Sequence, residues 1–235
     1  RAIAALESGK KPVITLQNTM ESLLAEVALD TDDPEAAHAD GEIELGAGLT
    51  FKDVLHRMLD RLTYYRETDR YGKVDRVPIR SEEALRTVAV IREEINAFPD
   101  LPISPLDTIR ARLAEAGFVC DELSGRTFQI VERDGRFVAT IKPQRPKAQI
   151  VRDFNAGTTD AILLTLAGST GISLHASKEF ADQRQRVLIE LQPAADVNKR
   201  LQFFGRVDRR GQTSAPEIEI LATGLPGEAR LIAMQ

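Results

Sequence analysis

Short apolar runs alternate with amphipathic stretches along this chain, and the period of the pattern changes partway. "RAIAALESGKK" reads as the end of a helix stopped at Gly9, and "PVITLQNT" as a short buried strand led by Pro12. "MESLLAEVAL" has helical spacing with Thr19 placed as its N-cap, and residues 30–48 that follow are acidic, aperiodic and loop-like. Apolar residues at 51, 54, 55, 58, 59 and 62 predict a helix through "TFKDVLHRMLDRLTYYRE", capped by Thr50 with Asp53 three residues on. "SEEALRTVAVIREEINAF" predicts a second helix, capped by Ser81 with acidic residues in its first turn. "SPLDTIRARLAEAG" predicts a third, with Ser104 as N-cap, Pro105 in first position and Gly117 as the stop.

Beyond residue 117 strands and helices take turns. "FVCDEL" is a strand, and "TFQIVERDGRFVATI" a hairpin turning at Asp134-Gly135. "RPKAQIVRDFNAG" is a helix, "DAILLTL" a buried strand, "RQRVLIELQ" a strand, "AADVNKRLQFFGRV" a helix beginning near Asp196, and "PEIEILAT" a strand. This alternation implies an α/β fold with a mainly parallel sheet flanked by helices. Residues 1–29 and 99–235 supply it; residues 30–98 form an acidic loop and a helical insertion or accessory subdomain.

Composition adds bounds. With 235 residues, 43% of them hydrophobic, the chain can build one sizeable core and a smaller accessory region. The single cysteine, Cys120, excludes an intrachain disulfide and suits a reducing, intracellular setting, cytoplasmic in a bacterium or nuclear in a eukaryote. No apolar run approaches the roughly 20 residues that span a bilayer. The start lacks a signal-peptide core and an initiator Met, which suggests a piece cut from a longer protein. The net charge of -5 is uneven: nine acidic residues and no Lys or Arg lie between Glu21 and Gly48, whereas seven Lys or Arg stand against Glu132 and Asp134 between Arg126 and Arg152. Local fields of this kind decide anion binding more than net charge does.

Candidate chemistry is confined to the second half. A phosphate-binding G-x-x-x-x-G-K-[ST] loop is absent, and His38, His56 and His175 have no metal-ligand spacing, so no metal site is expected in the chain itself. "FVCDE" imitates a magnesium-holding strand, but without a phosphate loop before it the simpler reading is a strand ending in a solvated acidic turn. "LAGSTGISLHA" follows a buried strand with small residues and two glycines, as close approach of the backbone to an anion requires; otherwise it is a tight turn with Gly171 serving close packing. In "QFFGRVDRRGQ", Arg206 and Arg209 would share a face if the helix continues, with Gly205 and Gly211 admitting close approach. A guanidinium fork matches phosphate oxygens; a helix end that only complements its macrodipole is the plainer alternative.

These stretches also carry a resemblance. "QFFGRVDRRGQ" resembles motif six of superfamily-two helicases, "STGISLHA" resembles their motif five, and the order and spacing agree. "KKPVITLQNT" resembles the first strand of the second RecA-like lobe, and "LPISPLDTIRARLAEAGFVCDELSGR" with "FNAGTTDAILLTLAGSTGISLHA" is similar to the Strawberry notch helicase C-terminal domain. The resemblance covers residues 99–225 and the first strand. It implies a lobe that completes a site for ATP and Mg2+ held mainly by a first RecA-like lobe of the same polypeptide. Arg206 and Arg209 would be the catalytic arginines. Gln202, Gly205 and Gly171 would face the nucleotide. Ser169 and Thr170 would face nucleic acid, DNA by resemblance. A chain without a phosphate loop should not hydrolyse ATP alone. The competing reading is a RecA-like lobe kept as a non-catalytic protein-interaction scaffold.

Overall fold

The computed structural model describes residues 1–20, 43–44, 50–68, 72, 74–134, 136–192, 196–222 and 224. In chain order the elements are α1 Ala2–Glu7, β1 Lys11–Thr15, β2 Ile43–Glu44, α2 Phe51–Arg61, β3 Tyr64–Thr68, β4 Val74–Pro78, α3 Glu82–Ala97, α4 Pro105–Glu115, β5 Cys120–Leu123, β6 Phe128–Arg133, β7 Arg136–Ile141, α5 Lys147–Ala156, β8 Ala161–Leu164, α6 Leu166–Ser169, β9 Arg186–Glu190, α7 Val197–Val207 and β10 Glu217–Ile220. They group into two compact units, one of residues 1–21, 104–129 and 141–235, the other of residues 22–103 and 130–140.

The first unit is built on a five-stranded sheet in the order β10-β9-β1-β8-β5, and every adjacent pair is parallel. Its strands alternate faces with the period of two that extended backbone imposes. Val13, Ile162, Leu164 and Leu188 pack with Ile150 and Phe154 of α5 and with Phe203 and Val207 of α7. Ile14, Ala161, Leu163, Val187 and Ile189 pack with Leu6 of α1 and with Leu106 and Leu113 of α4. The central strands are therefore buried on both sides, which is why β1, β8 and β9 read as continuous apolar runs rather than alternating ones. The helices end where the sequence indicates. The Ser104 hydroxyl accepts from Asp107 N at 3.3 Å, Asp196 accepts from Asn198 N at 2.9 Å, and Gly157 closes α5 at φ 92°.

The second unit corrects the sequence reading. The helix predicted through residue 67 stops at Arg61, and Tyr64–Thr68 pairs antiparallel with Val74–Pro78. Residues 49–98 are thus two helices with a hairpin between them. The apolar periodicity that supports α2 ends at Leu62. Beyond it the run of Thr63, Tyr64, Tyr65, Thr68 and Val74 favours extended backbone. Thr50 and Asp53 do cap α2: Thr50 N donates to Asp53 Oδ2 at 2.6 Å. Residues 43–44, read as loop, pair with β7. The helix expected at "MESLLAEVAL", and most of the acidic stretch, lie outside the described residues. No helix among the described residues is long and apolar enough to cross a membrane.

Candidate functional site

The site grows from the connections that leave β8 and β9, the two strands flanking β1. After β8 the chain makes a single helical turn, α6, and its backbone closes directly on the end of β5. A Cβ added at Gly168 would stand 2.0 Å from Leu123 O, so Gly168 is the glycine that serves close packing, a role the sequence reading gave to Gly171. Gly171 instead takes φ 72°, the left-handed turn that releases the chain from α6. Ile172 and Leu174 then bury in the core between α5 and α7.

Segment 170–174 is held by side chains from both helices and from β9. The Lys147 ammonium donates to Thr170 O, and Asn155 Nδ2 donates to Ser173 O at 3.0 Å. Arg206 Nη1 donates to Ile172 O at 3.3 Å, while Leu174 N donates to Arg206 O at 2.9 Å. Arg186 Nε, at the start of β9, donates to Leu174 O at 2.8 Å. Segment 170–174 therefore descends from the carboxyl ends of the strands toward their amino ends, and it carries the arginines with it.

Gln202, Gly205 and Arg206 lie on α7, with Gln202 and Arg206 one turn apart on one face and Phe203 and Val207 in the core. The helix does not continue to Arg209. It ends at Val207, with Asp208 extended, because the chain turns there to pair with the segment after Leu174. Thr213 N donates to Ala176 O at 2.8 Å, and Ser177 bridges Gln212. Arg209 still returns to the same place. Its Nε donates to Gly205 O at 2.7 Å, its Nη1 to the Ser173 hydroxyl, and its backbone N to Gln212 Oε1 at 3.0 Å. The shared location comes from a folded-back loop, not from a shared helical face.

Electrostatically the cluster is cationic. Burial, then the charge of Arg209, pulls the Arg206 pKa down, and the buried Arg206 Nε has no hydrogen-bond partner. Burial, followed by Arg209 and Arg186, lowers the His175 pKa; its Nδ1 is likewise buried without a partner, and its ring stands edge-on to Phe180 at 5.7 Å. The predicted nucleic-acid residues separate. Thr170 is exposed, but Ser169 is 1% exposed and its hydroxyl donates to Leu166 O at 2.8 Å. That hydroxyl is spent on stabilising α6. Ser173, whose hydroxyl accepts from Arg209, and Asn155, which grips the segment, were not singled out by the sequence. Ser173 sits inside "STGISLHA", but Asn155 is an ordinary helix residue until the fold brings it there.

The acidic "FVCDE" stretch is not a solvated turn. Glu122 is buried and accepts the Nε–Nη2 edge of Arg126, at 2.7 and 2.6 Å, and Lys142 at 3.1 Å. Arg126 also forks onto Asp107. Burial alone pushes Glu122 up, but hydrogen bonds from Arg126 and Ser124 and the charge of Lys142 outweigh it and hold the carboxyl at about 2. Burial pushes the Cys120 thiol up to about 12. Among the described residues no group of three or more His, Cys, Asp or Glu is placed to hold a metal.

A parallel α/β lobe of this kind, with an arginine-bearing helix end docked against the turn after β8, is a helicase-like C-terminal lobe. The chain belongs to the family described as the C-terminal domain on Strawberry notch homologue, whose model matches residues 104–234, more than half its length. It is 31% identical to Protein FORGETTER 1 of Arabidopsis thaliana over 163 residues, covering 66% of this chain and 12% of that protein. It is 29% identical to Protein strawberry notch homolog 2 of Mus musculus over 170 residues, covering 69% and 12%. Against Protein strawberry notch of Drosophila melanogaster it is 29% identical over 164 residues, covering 67% and 10%. The chain thus spans 10 to 12% of the length of these relatives. A solved structure titled the C-terminal part of the Fun30 ATPase domain overlaps it with a TM-score of 0.39 at 19% identity, over 55% of this chain and 35% of that one.

Proposed function

We propose that this chain is the second RecA-like lobe of an intracellular ATP-dependent motor acting on nucleic acid, DNA in the first instance, and that it completes a site for ATP and Mg2+ held mainly by a first lobe of the same polypeptide. The observation that carries this is the convergence of Arg206 and Arg209 on one segment, with a buried guanidinium nitrogen of Arg206 left without a partner. A cluster of like charge, in which Arg206 forms no ion pair among the described residues, suits a phosphate anion. Bound ATP with Mg2+ would supply a phosphoryl group on which negative charge develops. Arg206 and Arg209 would act as arginine fingers, stabilising that charge only when the lobes close. Gln202, one turn before Arg206, would orient the site, and Gly205 and Gly171 would let the backbone come near. Thr170 would meet the nucleic-acid backbone.

In the full-length protein, Arg206→Ala or Arg209→Ala should lower ATP turnover by about three orders of magnitude while ATP binding weakens much less. Lysine should not rescue either position, since it lacks the fork. Near-normal turnover in both alanine variants would overturn the assignment. The competing scaffold reading draws on a specific feature of the same geometry: both guanidinium groups already hold oxygens of the chain. On that reading the alanine variants lose thermal stability and partner binding, and there is no turnover to lose.

A further inference from the structure

No motif singles out Lys147, the first residue of α5, yet its ammonium is fixed on Thr170 O. Two residues along, Ile172 O holds Arg206 Nη1 at 3.3 Å. Two cations thus clamp the two sides of one turn, with Gly171 between them at φ 72°. The neighbouring basic residue shows the contrast. Arg145 is neutralised by Asp121 and Asp153 at 2.5 Å each, whereas among the described residues neither Lys147 nor Arg206 forms an ion pair. The two feel each other directly: burial, then the charge of Arg206, pulls the Lys147 pKa down. Arg206 in turn carries the buried Nε without a partner. Like charges held together without a counter-charge cost stability, and evenly spaced surface lysines would have avoided that cost. An anion from outside the fold would offset that cost.

We propose that Lys147 and Arg206 share one phosphate group, bound beside the Thr170–Ile172 turn. This deepens the function proposed above and rests on it for the role of Arg206. The chemistry is complementary: the ammonium is a compact point charge, and the half-buried guanidinium a directional fork. A phosphodiester of nucleic acid and a phosphate of the nucleotide present the same oxygens, so the two sources are separated by measurement. Lys147 joins the exposed Thr170 to the arginine cluster. It is therefore the residue through which the nucleic-acid face and the arginines would sense a common charge.

The test uses the full-length protein with Lys147→Gln and Lys147→Arg, and Arg206→Ala as reference. Binding of a fluorescein-labelled DNA is followed by anisotropy across a salt series, KM for ATP is measured on the same proteins, and thermal midpoints are recorded. If the phosphate belongs to nucleic acid, Lys147→Gln weakens DNA binding about tenfold, the worth of one charge-assisted hydrogen bond. Its salt slope then flattens by about one, and Lys147→Arg retains both. If the phosphate belongs to the nucleotide, KM for ATP rises about tenfold in Lys147→Gln and DNA binding stays unchanged. Either result supports the site. A Lys147→Gln protein with unchanged DNA affinity, salt slope and KM overturns it. So does an equal loss in Lys147→Gln and Lys147→Arg with lowered thermal midpoints, which assigns Lys147 to packing. Normal turnover in Arg206→Ala beside weakened DNA binding in Lys147→Gln removes the arginine finger but leaves the phosphate site standing.

Discussion

Two glycines in the site do opposite work, and single methyl groups tell them apart. At Gly168 an added Cβ would meet Leu123 O at 2.0 Å, so Gly168→Ala must push α6 off the end of β5, at a cost of about 1–3 kcal/mol. Gly205 lies inside α7, and an added Cβ there meets nothing within 4 Å. Helix propensity then favours alanine by about 1 kcal/mol, and Gly205→Ala should raise the thermal midpoint by roughly 2–4 °C. If Gly205 faces the nucleotide, the same variant loses ATP turnover, a gain in stability at the expense of function. Unfolding by circular dichroism and phosphate release on one preparation check both halves. A destabilised Gly205→Ala would mean that the open side of α7 is covered within the full-length protein. "LAGSTGISLHA" shows two glycines but not which one packs, because the oxygen that decides it belongs to Leu123, 45 residues earlier in the sequence.

At the scale of elements, α4 and β5 are joined by a buried ionic cluster beside their apolar contacts. Arg126, 1% exposed, joins Asp107 in the first turn of α4 to Glu122 in β5, with Lys142 and Ser124 completing the shell. The Glu122 carboxyl is held at about 2, below its ordinary value of 4.5. The unfolded chain therefore takes up the proton first as pH falls. The stabilisation is complete above pH 4.5 and is lost as pH falls toward 2, amounting to roughly 1–3 kcal/mol. Urea midpoints taken between pH 6 and pH 3 should fall for the parent chain. Relative to it, Glu122→Gln should start lower and depend less on pH. Parallel curves for the two proteins would show that Glu122 is not the group being titrated. Sequence patterning found nearly every element of the parallel sheet, since β1, β8 and β9 are continuous apolar runs and α4, α5 and α7 carry their caps. It failed at Tyr64–Thr68, where aromatic and β-branched residues continue an amphipathic helix without a stop signal, and pairing with Val74–Pro78 settles the conformation.

For the molecule as a whole, the chain supplies cations but no phosphate loop. Expressed alone, residues 1–235 should release no phosphate from ATP, with or without DNA. Turnover that survives Arg206→Ala in a contaminant-free preparation would reveal a complete site elsewhere. Its binding to DNA should be weak, nearly independent of sequence and steeply salt-dependent, because phosphate contacts release counterions and do not read bases. An affinity that is flat from 50 to 200 mM salt would contradict a cationic contact surface.

The sequence by itself determined the sheet, the helices that flank it and the candidate arginines, because these follow from periodicity, caps and spacing, which act over a few residues. Whether Arg209 lies on a helix, whether Ser169 reaches solvent, and which lysine stands beside Arg206 were decided only by tertiary structure. Arg209 folds back from beyond the helix end to Ser173, Ser169 turns inward to Leu166, and Lys147 crosses from α5 to Thr170. The two inter-element contacts join residues 36 and 23 apart in the chain, a separation over which no local pattern carries information. The Ser169 hydrogen bond spans only three residues, but that α6 packs against β5 through Gly168, with Ser169 1% exposed, is a fact of the tertiary structure.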